Sequence, residues 1–128
     1  VLKYIPMTPD GQLDLNQLDT LITPRTKMVA VTGMSNVLGT VPPLPEIIRR
    51  AKKVDALVLV DGAQSVPHMP VGVAKEGIDF LAFSGHKMCA PTGIGASTPW
   101  PSINGLRTLS IAPEMASSTV YTVASTAP

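Results

Sequence analysis

The chain has 128 residues, enough for one modest domain that buries about two-thirds of its unfolded surface. Apolar residues make up 45% and charged residues 15%, which excludes disorder through lack of hydrophobicity; a formal charge of +1, with no basic run interleaved with aromatics, excludes a nucleic-acid groove or an anionic membrane surface. Cys89 is the single cysteine, so there is no internal disulfide framework, and no apolar run reaches membrane-spanning length; a cytoplasmic location is expected.

The chain opens on Val1 in strand-like material, which points to further sequence upstream. "KYIPMT" alternates as a strand, and "PDGQ" supplies a turn through Asp-Gly. From Asp14, "DLNQLDTLI" places Leu15, Leu18, Leu21 and Ile22 on one helical stripe, with Asp14 as N-cap. "KMVAVTGM" reads as a buried strand and "SNVLGTVPPLP" as a loop. "PEIIRRAKK" is a short helix with Pro45 in its first turn, and its basic cluster Arg49, Arg50, Lys52 and Lys53 reads as a solvated helix end. "ALVLVDGA" is the clearest buried strand; "QSVPHMPVGVAKEG" is a connection, "IDFLAFSG" another strand, and "HKMCAPTG" a loop leading into "IGA".

Apolar strands alternating with helical segments predict an α/β fold, a mostly parallel sheet covered on both faces by helices. In such folds ligands gather at the carboxyl ends of the strands, where Asn36, Asp61, Gln64, Ser84, His86 and Lys87 all fall. Residues 1–96 are expected to form part of one large domain. From Ser97 the composition turns to Ser, Thr, Pro and Ala without periodicity, so 97–128 is expected to be an irregular tail or a non-native continuation, as a frameshifted, truncated or recombined gene would give.

The polar residues at those strand ends carry chemistry. Partial desolvation makes a lysine amine such as Lys87 a usable nucleophile toward carbonyls, the plain alternative being an exposed loop lysine. Asp61 could cap the next segment, bind a metal or face a cofactor cation such as the pyridinium nitrogen of pyridoxal 5′-phosphate (PLP); at about 4 Å and an effective dielectric of about 20 such a pair is worth about 4 kcal/mol. Ser84 and His86 flank Gly85 and suit anion binding, while Gln64 and Asn36 could each donate to a phenolate oxygen. A Ser84–His86–Asp61 hydrolase lacks the G-x-S-x-G elbow, and its serine and histidine are awkwardly close in sequence. A metal site from His68, His86 and Cys89 lacks paired-ligand spacing, so no metal is expected. The "TGIG" glycines lack the lysine of a nucleotide loop and suit a tight turn.

"SNVLGT", "VLVDGAQSVPHMPV", "DFLAFSGHK" and "PTGIG", in this order and spacing, closely resemble the central segment of the group II (SufS-like) cysteine desulfurases, the selenocysteine-lyase-related branch of the PLP-dependent class V aminotransferase family. The resemblance runs from about Lys3 to Gly95 and implies part of the large domain of a fold type I PLP enzyme. It implies that Lys87 carries PLP covalently and serves as the proton-transfer base, that Asp61 pairs with the pyridinium nitrogen, and that Gln64 bonds to the ring oxygen. Ser84 and His86 would hold the phosphate, and Asn36 would lie near the ring oxygen and the substrate carboxylate. The implied reaction converts L-cysteine to L-alanine and enzyme-bound sulfur, in a homo-oligomer that passes sulfur to an acceptor protein in iron–sulfur cluster assembly. Selenocysteine lyase, aminotransferase and kynureninase-like chemistries share this core. The family's sulfur-accepting cysteine and carboxylate-binding arginine match no residue here, so an inactive remnant of the fold is the other expectation. Cys89 falls where relatives usually carry a tyrosine, and is expected to be a small buried thiol rather than the sulfur carrier.

Overall fold

The computed structural model describes residues 1–99 and 122–125. Three strands form its centre: β2 (Thr26–Thr32), β3 (Leu57–Asp61) and β4 (Phe80–Ser84), parallel and side by side. β5 (Gly95–Pro99) runs antiparallel along β4, while β6 (Thr122–Ser125) runs antiparallel to β2 and to β1 (Leu2–Lys3), giving the order β1-β6-β2-β3-β4-β5. The tail expected to be irregular thus contributes β6 and the end of β5; its remaining residues, 100–121 and 126–128, lie outside those described.

Alternation decides which face of the sheet is sealed. Val29, Val31, Val58 and Val60 are at most 1% exposed, and their β-branched side chains form one face with Leu81. Helix α2 (Leu44–Lys52) brings Ile47, Ile48 and Ala51 into the same core. The opposite face is half-buried at Met28, Ala30, Leu57, Leu59, Phe80 and Ala82 and buried at Thr32 and Ser97. The expected cover on both faces is therefore complete on one face only among the described residues.

Local chemistry explains where the elements start and stop. Asp14 is the N-cap foreseen: its Oδ1 accepts from Asn16 N–H at 3.1 Å. The helix that follows is shorter and tighter than its stripe suggests, a 3₁₀ turn at Leu15–Gln17 and one α turn, α1 (Leu18–Leu21), which buries Leu18 and Ile22. In the first segment β1 is only two residues long; Met7 instead bridges Leu13 across the Asp10-Gly11 turn, with Gly11 at φ +80°. α2 ends in a Schellman arrangement, Ala56 N–H donating to Ala51 O at 3.0 Å and Asp55 N–H to Lys52 O at 3.3 Å, with Asp55 rather than glycine at positive φ (57°). The connection between β3 and β4 contains two single-turn helices, α3 (Ser65–His68) and α4 (Val73–Glu76).

The basic end of α2 is solvated at Arg49, Lys52 and Lys53, as expected, and three of its cations also make ties. Arg49 and Arg50 reach Glu46 at 2.7 and 3.0 Å, and Arg50 Nη1 donates to Leu15 O at 2.7 Å. Lys52 Nζ meets Asp79 Oδ2, which is buried at the entrance to β4. No helix among the described residues is long and apolar enough to cross a membrane.

Candidate cofactor site

Register brings the polar strand ends together. Thr32 pairs with Asp61 and Asp61 with Ala82, so these three residues form one row across β2, β3 and β4, with strands about 4.8 Å apart. Ser84 lies two residues beyond Ala82, about 6.6 Å further along β4 at about 3.3 Å per residue, on the same face. This is the half-buried face, so the row is backed by a sealed core yet reachable from the other side.

Each parallel strand runs on by one residue into a glycine, and the ladder continues there. Gly33 N–H donates to Asp61 O at 2.7 Å, Gly62 N–H to Ala82 O at 2.6 Å and Gly85 N–H to Ile94 O at 2.7 Å. At Gly85 a Cβ would stand 2.7 Å from Ile94 O, so only glycine lets β5 close against the turn that carries Ser84, His86 and Lys87.

Asp61 is half-buried, and its Oδ1 accepts from Ala63 N–H at 2.9 Å, which fixes the carboxylate plane. Gln64, also half-buried, immediately precedes α3, and its carbonyl accepts from His68 Nδ1 at 2.6 Å. His68 is thereby engaged on its own helix. Ser84 Oγ and His86 Nδ1 share a hydrogen bond of 2.8 Å, so two residues of separation do permit direct contact. A catalytic triad needs the histidine's Nε2 on the serine and its Nδ1 on the acid; here Nδ1 faces Ser84 and Asp61 binds Ala63, which leaves no triad.

Lys87 is half-buried in a 3₁₀ turn, Gly85–Met88, closed by Ala90 N–H donating to Gly85 O at 3.0 Å. Cys89 ends this turn in the left-handed region (φ 62°) and is exposed, which corrects the expectation of a buried thiol: the left-handed bend carries the residue away from the core side of β4. Asn36 is exposed on the loop after β2. Sequence reasoning passed over its neighbour Ser35, whose buried Oγ accepts from Val37 N–H at 3.3 Å and Leu38 N–H at 3.2 Å and so shapes the turn presenting Asn36. The signal was a serine opening a polar turn after a strand. Exposed Val37, Leu38, Met88 and Ile94 lie on loops at this same edge.

A half-buried aspartate with one carboxylate oxygen already oriented, a hydroxyl–imidazole pair able to meet an anion, and a half-buried lysine on the next turn form a donor set that fits PLP. The fold is the mixed, mostly parallel, helix-flanked sheet of the large domain of fold type I PLP enzymes. Residues 1–99 match the family described as aminotransferase class-V. The chain is 57% identical over 94 residues to a cysteine desulfurase of Dickeya dadantii and 51% identical over 94 residues to a probable cysteine desulfurase of Streptomyces coelicolor; each match takes in 73% of this chain but 23% and 22% of the relative. It superposes on the crystal structure of the cysteine desulfurase CsdA from Escherichia coli with a TM-score of 0.71 at 43% identity, over 75% of this chain and 24% of that one. The chain belongs to the class-V aminotransferase family, and the relatives and the solved structure named above are described as cysteine desulfurases, one of them as probable. It spans less than a quarter of the length of the curated relatives named here.

Proposed function

We propose that this chain is the cofactor-bearing core of a group II, SufS-like cysteine desulfurase, whose reaction moves the sulfur of L-cysteine onto an enzyme thiol as a persulfide and leaves L-alanine. The accepting thiol is not assigned to any residue of this chain. The observation that carries the reading is the joint position of Asp61 and Ser84 at the ends of adjacent parallel strands, on the half-buried face, with His86 hydrogen-bonded to Ser84 and Lys87 next to it on the turn that follows β4. Bound PLP supplies an electron sink for charge developing at the amino acid's Cα.

The chain's own residues do the rest. Lys87 is the covalent attachment point, and its Nζ, once released, moves the proton at Cα. Asp61, with Oδ1 held by Ala63 N–H, offers its negative charge to the pyridinium nitrogen and keeps that nitrogen protonated. Gln64 donates to the ring oxygen, and Asn36 to the ring oxygen and the substrate carboxylate. Ser84 and His86 hold the phosphate, aided by the shared hydrogen bond that orients both. The exposed apolar residues Val37, Leu38, Met88 and Ile94 support self-association into a homo-oligomer. A cytoplasmic location and delivery of sulfur to an acceptor protein for iron–sulfur assembly rest on the family reading alone.

The test is titration of the purified chain with PLP, followed by borohydride reduction and peptide mapping. Stoichiometric label on Lys87, lost in Lys87→Ala, is the expected result. Scattered or absent label would remove the cofactor role and leave a chain that keeps the fold without its chemistry.

A further inference from the structure

The turn that carries Asp61 and Gln64 is pinned at both ends by one residue of the neighbouring strand. At its start, Asp61 O accepts from Gly33 N–H at 2.7 Å. At its end, Ser65 packs into the notch left by the missing side chain of Gly33: a Cβ there would lie 2.4 Å from Ser65 Oγ, 2.9 Å from Ser65 Cβ and 3.4 Å from Asp61 O. Rotation could move the hydroxyl aside, but the Cβ contact involves atoms fixed to the backbone, so the turn itself would have to move. Ser65 is 2% exposed and its Oγ has no hydrogen-bond partner among the described residues. An unpartnered buried hydroxyl costs free energy rather than adding a hydrogen bond, so what Ser65 supplies at this contact is its shape.

The contact lies behind the site. Gly33 follows Thr32 and so has the parity of Val31, on the sealed face, whereas Asp61 projects from the other. Val66 N–H donates to Gly62 O at 2.9 Å, which holds α3 against the same turn. Between the two pinned ends stand only Gly62, Ala63 and Gln64.

We infer that Gly33 and Ser65 are positioning residues for the cofactor site, the close contact between them setting where the Asp61 carboxylate and the Gln64 amide stand. The inference rests on the PLP reading above for its functional meaning, while its geometry can be tested apart from it. Neither residue touches the cofactor; both act through the turn between Asp61 and Ser65.

The experiment compares the full chain with Gly33→Ala, Ser65→Gly and the double variant. Two readouts are taken: the ¹H–¹⁵N resonances of the Ala63 backbone amide and the Gln64 side-chain amide, and the affinity for PLP. Gly33→Ala is expected to shift both resonances and to weaken PLP binding about tenfold, the scale of overpacking by one methyl. Ser65→Gly added to it removes the two shortest contacts and is expected to return both readouts to those of Ser65→Gly alone. Unmoved resonances in Gly33→Ala, or shifts that the second substitution does not reverse, overturn the inference. Should Gly33→Ala fail to fold, a double variant matching Ser65→Gly sustains the inference, and one that also fails overturns it. If no variant and not the parent binds PLP, the functional reading falls, and the resonances alone decide whether the contact sets the turn.

Discussion

Lys52 Nζ lies 2.5 Å from Asp79 Oδ2, and the same oxygen accepts the N–H of Val58 at 2.6 Å. One buried carboxylate thus ties the last turn of α2, the start of β3 and the entrance to β4, at the end of the sheet remote from Asp61 and Ser84. Removing it strands a buried N–H and loosens three elements together. Asp79→Ala is expected to lower stability by about 3 kcal/mol. Asp79→Asn keeps an acceptor for Val58 and is expected to cost about 1 kcal/mol, because the half-exposed Lys52 end of the pair is screened by water. Urea unfolding of the two variants measures the order; equal losses would assign the effect to charge rather than to the hydrogen bond.

Asp55 occupies the left-handed position at the end of α2, where glycine has no Cβ penalty. Asp55→Gly is expected to raise stability by up to about 1 kcal/mol, the gain at this position exceeding the extra freedom glycine has in the unfolded chain. A lower thermal midpoint in the glycine variant would show that Asp55 makes a compensating interaction.

Glu46 titrates below its ordinary value of 4.5, chiefly because Arg49 hydrogen-bonds to its carboxylate. A carboxyl depressed by folding contributes stability above its unfolded pKa and loses it as pH falls through the folded one. The contribution is therefore present at neutral pH and fades below about 4.5. Denaturation midpoints from pH 6 to pH 3 are expected to fall less steeply in Glu46→Gln than in the parent, by a small margin since the group is exposed.

Asp61→Asn keeps the shape of the side chain and its acceptor for Ala63 N–H but removes its charge. PLP affinity is expected to fall by about one to two orders of magnitude, as when one member of a partly buried charge pair is lost, with little change in thermal midpoint for the cofactor-free chain. Unchanged affinity in a titration would assign the pyridinium to another group.

Much of this arrangement was legible in the sequence because it is local. "VLVDGA" and "FLAFSG" announce buried strands that stop at a polar residue and a glycine, and β3 and β4 end at Asp61 and Ser84 as those runs suggest. α3 and α4 were not legible, since a four-residue helix holding Pro67 or following Gly72 is too short to show a period. Cys89 was misplaced because one left-handed residue decides its direction, and that bend leaves no compositional mark. The Lys52–Asp79 tie and the Gly33–Ser65 contact join residues far apart in the chain, and neither pair has a feature that names its partner. β6 lies in a Ser/Thr/Ala-rich stretch whose pairing with β2 has no periodic signature.

The pairing of Thr32 with Asp61 and of Asp61 with Ala82 has a consequence for misfolding. Side chains along a strand alternate with a period of two, so a slip of β3 by one residue would put Asp61 where Val60 now seals the core and turn Val60 out toward the site. The error would insert a charge into the most buried layer and delete the acid from the row in a single move. A one-residue slip could therefore not keep the interior intact and merely lack chemistry, and cofactor capture by this chain would double as an assay of correct strand alignment.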